Sequence, residues 1–190
     1  MKTPWLIWTL AGLLAAPLAQ AQPAAARLLP AQSEIVFVSK QMGVPVEGEF
    51  KRFDAQIVFD PGSPQAGSVA LTIDTGSATL GIAETDAELP KAEWFAAAKF
   101  PQARFQSTAI KPLGSGKYEV AGRLTIKGHS RDLVVPISLA QTGSTGIATG
   151  SFTLERLAFK IGDGEWADTS LVADDVQVRF KLALAGLAAP

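Results

Sequence analysis

The amino-acid sequence predicts an all-β fold, an eight-stranded antiparallel barrel with a short helical insertion around residues 85–99. Apolar and polar residues alternate with a period of two through most of the chain after Ser33, the mark of strands with one buried face. Glycine-containing turns interrupt the alternation where hairpins need them, at Leu113-Gly114-Ser115-Gly116, Lys127-Gly128-His129 and Thr142-Gly143-Ser144. The last segment alternates strictly, with Val176, Val178, Phe180 and Leu182 set against Asp175, Gln177, Arg179 and Lys181. Such a final strand lets a meander close on itself and lose its edges. A two-sheet sandwich would satisfy the same alternation.

The first residues read as a secretory leader. Met1 and Lys2 make a positive start, residues 5–18 an apolar run, and Ala19-Gln20-Ala21 a small-x-small site, so residues 1–21 form a signal peptide expected to be cut after Ala21. An uncleaved anchor needs roughly 20 apolar residues. The expected localisation is therefore periplasmic. Residues 22–32, rich in alanine and proline, are expected to be a flexible lead-in, and residues 33–185 a single barrel domain. Packing must hold that domain together, because the chain has no cysteine.

Each run then has a place in the wall. Residues 33–40 form the first strand, with Ile35 and Phe37 on one face and Val36 and Val38 on the other, which implies cover on both sides. Residues 46–50 and 55–59 follow as a second and third, broken over residues 51–54 and stopped by Asp60-Pro61-Gly62. Val69, Leu71 and Ile73 alternate against Ala70, Thr72 and Asp74. The period changes once, over residues 85–99, where Leu89, Ala92, Trp94, Phe95 and a run of alanines favour helix and Pro90 divides it into two pieces. Strand alternation resumes over residues 105–110, 118–126, 133–139, 148–154 and 176–182.

A barrel of about eight strands is either just filled by its side chains or just able to hold one slender ligand. Gly122 and Gly150 fall on inner faces, with Ala148 beside the second, and each takes volume out of the interior; bending of a strand at a barrel corner accounts for either glycine as well. The candidate lining is Phe37, Leu71, Ile73, Leu124, Phe152 and Phe180, which would favour a hydrocarbon chain at about 0.8 kcal/mol per buried methylene. Trp94 and Phe95 are candidates for a lid over one mouth, or for a plug that completes the core. Trp166, in the glycine-flanked segment 162–170, is expected to cross the opposite end, and Lys40, Arg52 and Arg104 are candidates to meet a head group at the rim.

Signals for chemistry are weak. The single imidazole, His129, lies in a turn with no nucleophile elbow, so a triad lacks its base, and one histidine without cysteine does not make a zinc site. Glu84, Asp86 and Glu88 suit the start of a helix, and Asp163, Glu165 and Asp168 lack the spacing of a calcium loop. Seventeen basic residues against 18 acidic ones leave no field to recruit nucleic acid. The sequence therefore predicts a binding protein with no catalytic residue, cofactor or metal. A packed interaction module and a lipid hydrolase are the rival readings.

Four segments also carry a family resemblance: Phe37-Val38-Ser39-Lys40-Gln41-Met42-Gly43 with Gly48-Glu49-Phe50; Val69-Ala70-Leu71-Thr72-Ile73-Asp74 with Ser77; Trp94-Phe95 leading to Phe100-Pro101-Gln102-Ala103-Arg104-Phe105; and Tyr118-Glu119-Val120-Ala121-Gly122-Arg123-Leu124-Thr125-Ile126-Lys127-Gly128. Over residues 33–182 the chain resembles the YceI family, lipocalin-like periplasmic barrels that bind polyisoprenoid or other amphiphilic lipids. The resemblance implies an isoprenoid or fatty-acyl amphiphile threaded through the interior for transport or sequestration, and it leaves homodimerisation open. Gln41 replaces a histidine frequent in the family, and Thr85-Asp86-Ala87-Glu88-Leu89 replaces an Arg-Asp pair and a histidine, so the head-group preference is expected to differ. The tail Gly164-Glu165-Trp166-Ala167-Asp168-Thr169-Ser170 is similar to a branch found with membrane b-type cytochromes, which implies a quinone-like cargo and such a cytochrome as a partner.

Overall fold

The computed structural model describes residues 25–188; the leader expected over residues 1–21 lies outside them. The strands are β1 (Ala25–Leu28), β2 (Glu34–Gln41), β3 (Val44–Phe50), β4 (Phe53–Val58), β5 (Ser68–Asp74), β6 (Ala78–Thr79), β7 (Gln102–Gly114), β8 (Lys117–Ile126), β9 (His129–Thr142), β10 (Thr145–Glu155) and β11 (Asp175–Ala185). β1 and β2 run on as one stave around a tight turn at Pro30–Gln32. β3 and β4 make the next stave, since β2 pairs with β3 while β1 pairs with β4. From there the wall runs through β5, β7, β8, β9, β10 and β11, and β11 returns to both β1 and β2, so eight antiparallel staves close the barrel. β6 adds two residues beside the end of β3.

The hairpins close on turns of the right hand. Lys127 and Gly128 have φ of 50° and 78°, and Met42 and Gly43 have φ of 48° and 80°. Two left-handed residues in succession give a turn whose twist matches that of the strands it joins.

Several expectations need correction. Residues 25–30 are not a loose lead-in: Ala26 and Leu28 are buried, and Ala26 sits opposite Ile57 while Arg27 sits opposite Ala185. Closure explains this, because without β1 the lower halves of β4 and β11 would be open edges. The segments at 44–50 and 53–58, expected as two strands, are two halves of one stave. Val36 and Val38 are only half-buried, because a single-walled barrel has solvent outside it. The insertion contains one helical turn, α1 (Ala83–Asp86), and then a chain of tight turns to residue 99. Pro90 has no N–H to continue a helix, and Ala96, at φ 48°, reverses the backbone. Asp86 anchors this segment by accepting bonds from the Thr79 hydroxyl (2.5 Å) and the Leu80 amide (2.6 Å). Those two bonds hold its carboxyl below the usual carboxylate range.

The inner glycines do not simply leave space. Phenylalanine rings lie over them: a Cβ at Gly150 would stand 2.4 Å from Phe180 Cζ, and one at Gly122 2.4 Å from Phe105 Cζ. Gly48, paired across the strands with Phe37, repeats the arrangement. A ring laid flat on a strand glycine stays against the wall and out of the bore. Gly150→Ala is therefore expected to cost about 1–3 kcal/mol. Its Cβ would also meet the Pro136 carbonyl oxygen at 2.7 Å, which a ring movement cannot relieve. Gly48→Ala should cost less, because the atoms it would meet belong to the Phe37 and Leu80 side chains. Urea unfolding of the two variants checks the order.

The lower end is plugged. Phe59 meets Tyr118 edge to face at 5.2 Å, and Leu187 is buried in the core, its N–H donating to the Ser144 carbonyl. The upper end is covered by the 75–101 segment and by the loop between β10 and β11.

Candidate functional site

The interior is a file of three apolar cavities of about 110, 80 and 60 Å³. The first two share Ile35, Ile73, Leu124, Phe152 and Val178; the second and third share Val69, Val120, Ile137, Phe180 and Leu182. The inward parity of the strands accounts for this lining, since residues i, i+2 and i+4 of each stave face the axis. Only carbon surface borders the open space in all three. An apolar chain can be held there by burial alone, at about 0.8 kcal/mol per methylene.

Above the file sits a pocket of about 170 Å³ that shares Phe37, Ser39, Leu89 and Trp94 with the first cavity. Gln41, Thr85, Glu88 and Trp166 complete its polar and aromatic side. Ser39, Gln41 and Thr85 are the uncharged polar residues of this lining. Glu88, the only charged residue of the lining, is tied to Lys91 at 2.6 Å.

Phe37, Leu71, Ile73, Leu124, Phe152 and Phe180, the six residues expected as lining, border these spaces, and so do Trp94 and Phe95, the candidates for a lid or plug. The cations expected at the rim do not. Arg52, in the break between β3 and β4, turns to Asp74 at 2.9 Å, while Arg104 turns to the Gln102 amide oxygen at 2.7 Å and Lys40 is exposed, both with the outward parity of their strands. Trp166 is at the same end as Trp94, with ring centroids 5.4 Å apart, and not across the opposite mouth. The physical reason is the even number of staves: the β10–β11 connection emerges at the end where the insertion leaves β5. The N–H groups of Gly162 and Asp163 both donate to the Glu93 carbonyl, which locks the two covers together.

One residue of this site escaped the sequence reading. Arg156 is 1% exposed and lines the upper cavity. Its Nε donates to Ala173 O (3.0 Å), Nη1 to Ile161 O and Gly162 O (2.8 and 2.9 Å), and Nη2 to Trp166 O and Val172 O (both 2.7 Å). All five guanidinium N–H groups thus end on carbonyls of a single loop. Burial pushes its pKa below the ordinary arginine value, and the carboxylates of Asp174 and Asp163 pull it back up. The signal was present: Phe152, Leu154 and Arg156 continue one inward parity, and a charge there must find acceptors.

The acidic groups considered for metal binding go elsewhere. Asp163 lies 3.6 Å from Lys127, and Asp168 accepts from the amide and hydroxyl of Ser170. No group of three potential ligands occurs among the described residues. His129 opens β9, exposed and outside every cavity described above.

A closed, single-walled barrel with an apolar bore and a covered mouth defines the class of this protein: a lipocalin-like binding barrel. Residues 27–184 match the model of the YceI-like domain, and the chain belongs to the YceI family. It is similar to the crystal structure of BcnA from Burkholderia cenocepacia, with 46% identity, a TM-score of 0.80, and coverage of 82% of this chain and 98% of that one. A polyisoprenoid-binding domain from Saccharophagus degradans shares the fold at a TM-score of 0.70 and 18% identity, covering 87% of this chain and 99% of that one. Among relatives known by sequence, a UPF0312 protein of Vibrio cholerae is 29% identical over 157 residues, 77% of this chain and 83% of that one. The protein YceI of Salmonella arizonae is 38% identical over 96 residues, half of each chain.

Proposed function

We propose that this protein binds one long-chain amphiphile, a polyisoprenoid or quinone-like lipid, in the bore of its barrel and carries or sequesters it without chemical change. The observation that supports this most directly is the file of carbon-lined cavities under a small mouth pocket that is mainly apolar and carries a few polar side chains. Family membership and the polyisoprenoid-binding relative in fold support it further. A quinone-like or otherwise uncharged head fits better than a phosphate, because no lysine lines the mouth pocket and every N–H of Arg156 is already committed. The leader-like residues 1–21 support a periplasmic setting for this carrier.

Native mass spectrometry of the purified protein is expected to show a species heavier by one lipid, which solvent extraction releases. Protein that is free of lipid and takes up neither isoprenoid nor fatty-acyl probes would overturn the reading.

A further inference from the structure

Among the described residues eight large apolar side chains are exposed, and five of them, Met42, Val44, Ile82, Trp166 and Leu171, stand around the mouth. The Met42 N–H donates to Leu171 O at 2.8 Å, and Val44 sits opposite Gln41 of the mouth pocket. Ile82 precedes α1, whose Thr85 borders the same pocket, and Trp166 borders it directly. The other three are dispersed, Leu113 near the lower turn of β7 and β8, Val134 and Ile147 on the outer wall.

The two ends of the barrel differ accordingly. The lower tips are Asp60-Pro61-Gly62-Ser63, Gly114-Ser115-Gly116 and Thr142-Gly143-Ser144, polar or glycine apart from Pro61 and with Leu113 exposed beside the second. At the upper β2–β3 tip, Met42 is 76% exposed at φ 48°. Asparagine or glycine suits that backbone, and residues with larger side chains avoid it. An exposed thioether serves neither the turn nor solubility. Of the acids at this end, Glu47 is held by Arg179 and Glu88 by Lys91. No basic cluster gathers beside them to seek an anionic surface.

We propose that the mouth end docks on the surface of an uncharged lipid bilayer, with Met42, Val44, Ile82, Trp166 and Leu171 dipping into the headgroup boundary. The surface serves the cargo binding proposed above, on which its purpose rests: a chain too apolar for water passes from bilayer to bore without leaving an apolar medium. Attraction through apolar area predicts binding that salt leaves unchanged.

The absence of cysteine gives a clean test. An environment-sensitive thiol probe is attached to Leu171→Cys at the mouth or to Leu113→Cys at the lower end. Pure phosphatidylcholine vesicles are expected to shift the probe to a lipid-like signal at the first position and leave the second in water, at low and high salt alike. Adding Met42→Ser to the first should weaken vesicle binding about fivefold. An equal response at both positions, or none, overturns the proposal. So does a response only to membranes that contain protein, which would assign the rim to a protein partner. Cargo content by native mass spectrometry is read separately, so that a rim that ignores lipid on a protein that still carries its amphiphile defeats docking alone.

Discussion

Arg156→Met is expected to destabilise the protein by about 3–5 kcal/mol, the range for removing one side of a buried charged network. The variant deletes five bonds at once and leaves the carbonyls of Ile161, Gly162, Trp166, Val172 and Ala173 to find water inside a covered loop. At this chain length the loss corresponds to a melting point lower by about 10 °C. Arg156→Lys keeps the charge but offers three donors from one point, so it should recover only part of the loss. The effect is local in origin: the loop carries Trp166, which meets Trp94, and the Gly162 and Asp163 amides that grip Glu93. Limited proteolysis between β10 and β11 should accelerate together with loss of cargo. Urea unfolding decides the magnitude, and a loss below about 1 kcal/mol would mean that water replaces the guanidinium without strain.

Leu124→Trp is expected to empty the barrel without unfolding it. Leu124 borders both larger cavities at the point where they meet, and the indole would occupy the passage between them. Overpacking costs about 1–3 kcal/mol, which a domain held by a continuous core tolerates. The cargo then loses its place for several methylenes, each worth about 0.8 kcal/mol, and its occupancy should fall tenfold or more. Thr149→Trp, on the outward face of the neighbouring wall, is the control and should leave occupancy unchanged. The measurement is the ratio of loaded to empty protein by native mass spectrometry. Full loading of Leu124→Trp would place the cargo outside the bore.

The wall was legible in the sequence because strand parity is a local property. Val69, Leu71 and Ile73, or Val176, Val178, Phe180 and Leu182, face inward wherever the strand sits, so the lining residues could be named before any fold was known. The covers were less legible. Residues 85–99 have helical composition, yet Pro90 and the reversed backbone at Ala96 leave one turn of helix, at Ala83–Asp86. The end at which Trp166 lies depends on how many staves precede it, which no local pattern around Gly162 contains. Lys40, Arg52 and Arg104 were placed at the rim for their charge, although the parity of Lys40 and Arg104 already pointed them outward.

By itself, then, the sequence determined the class of fold, the inward set of side chains and the family, because alternation, turn chemistry and motif order are all written within a few residues of one another. Tertiary structure alone decided that residues 25–28 complete the wall, that Phe37, Phe105 and Phe180 fold down onto glycines of adjacent staves, and that Trp94 and Trp166 close one mouth together. It also turned Arg156 from an ordinary basic residue at a strand end into the pin of the mouth loop. Each of these is a contact between segments distant along the chain, and its geometry is fixed only when the barrel closes.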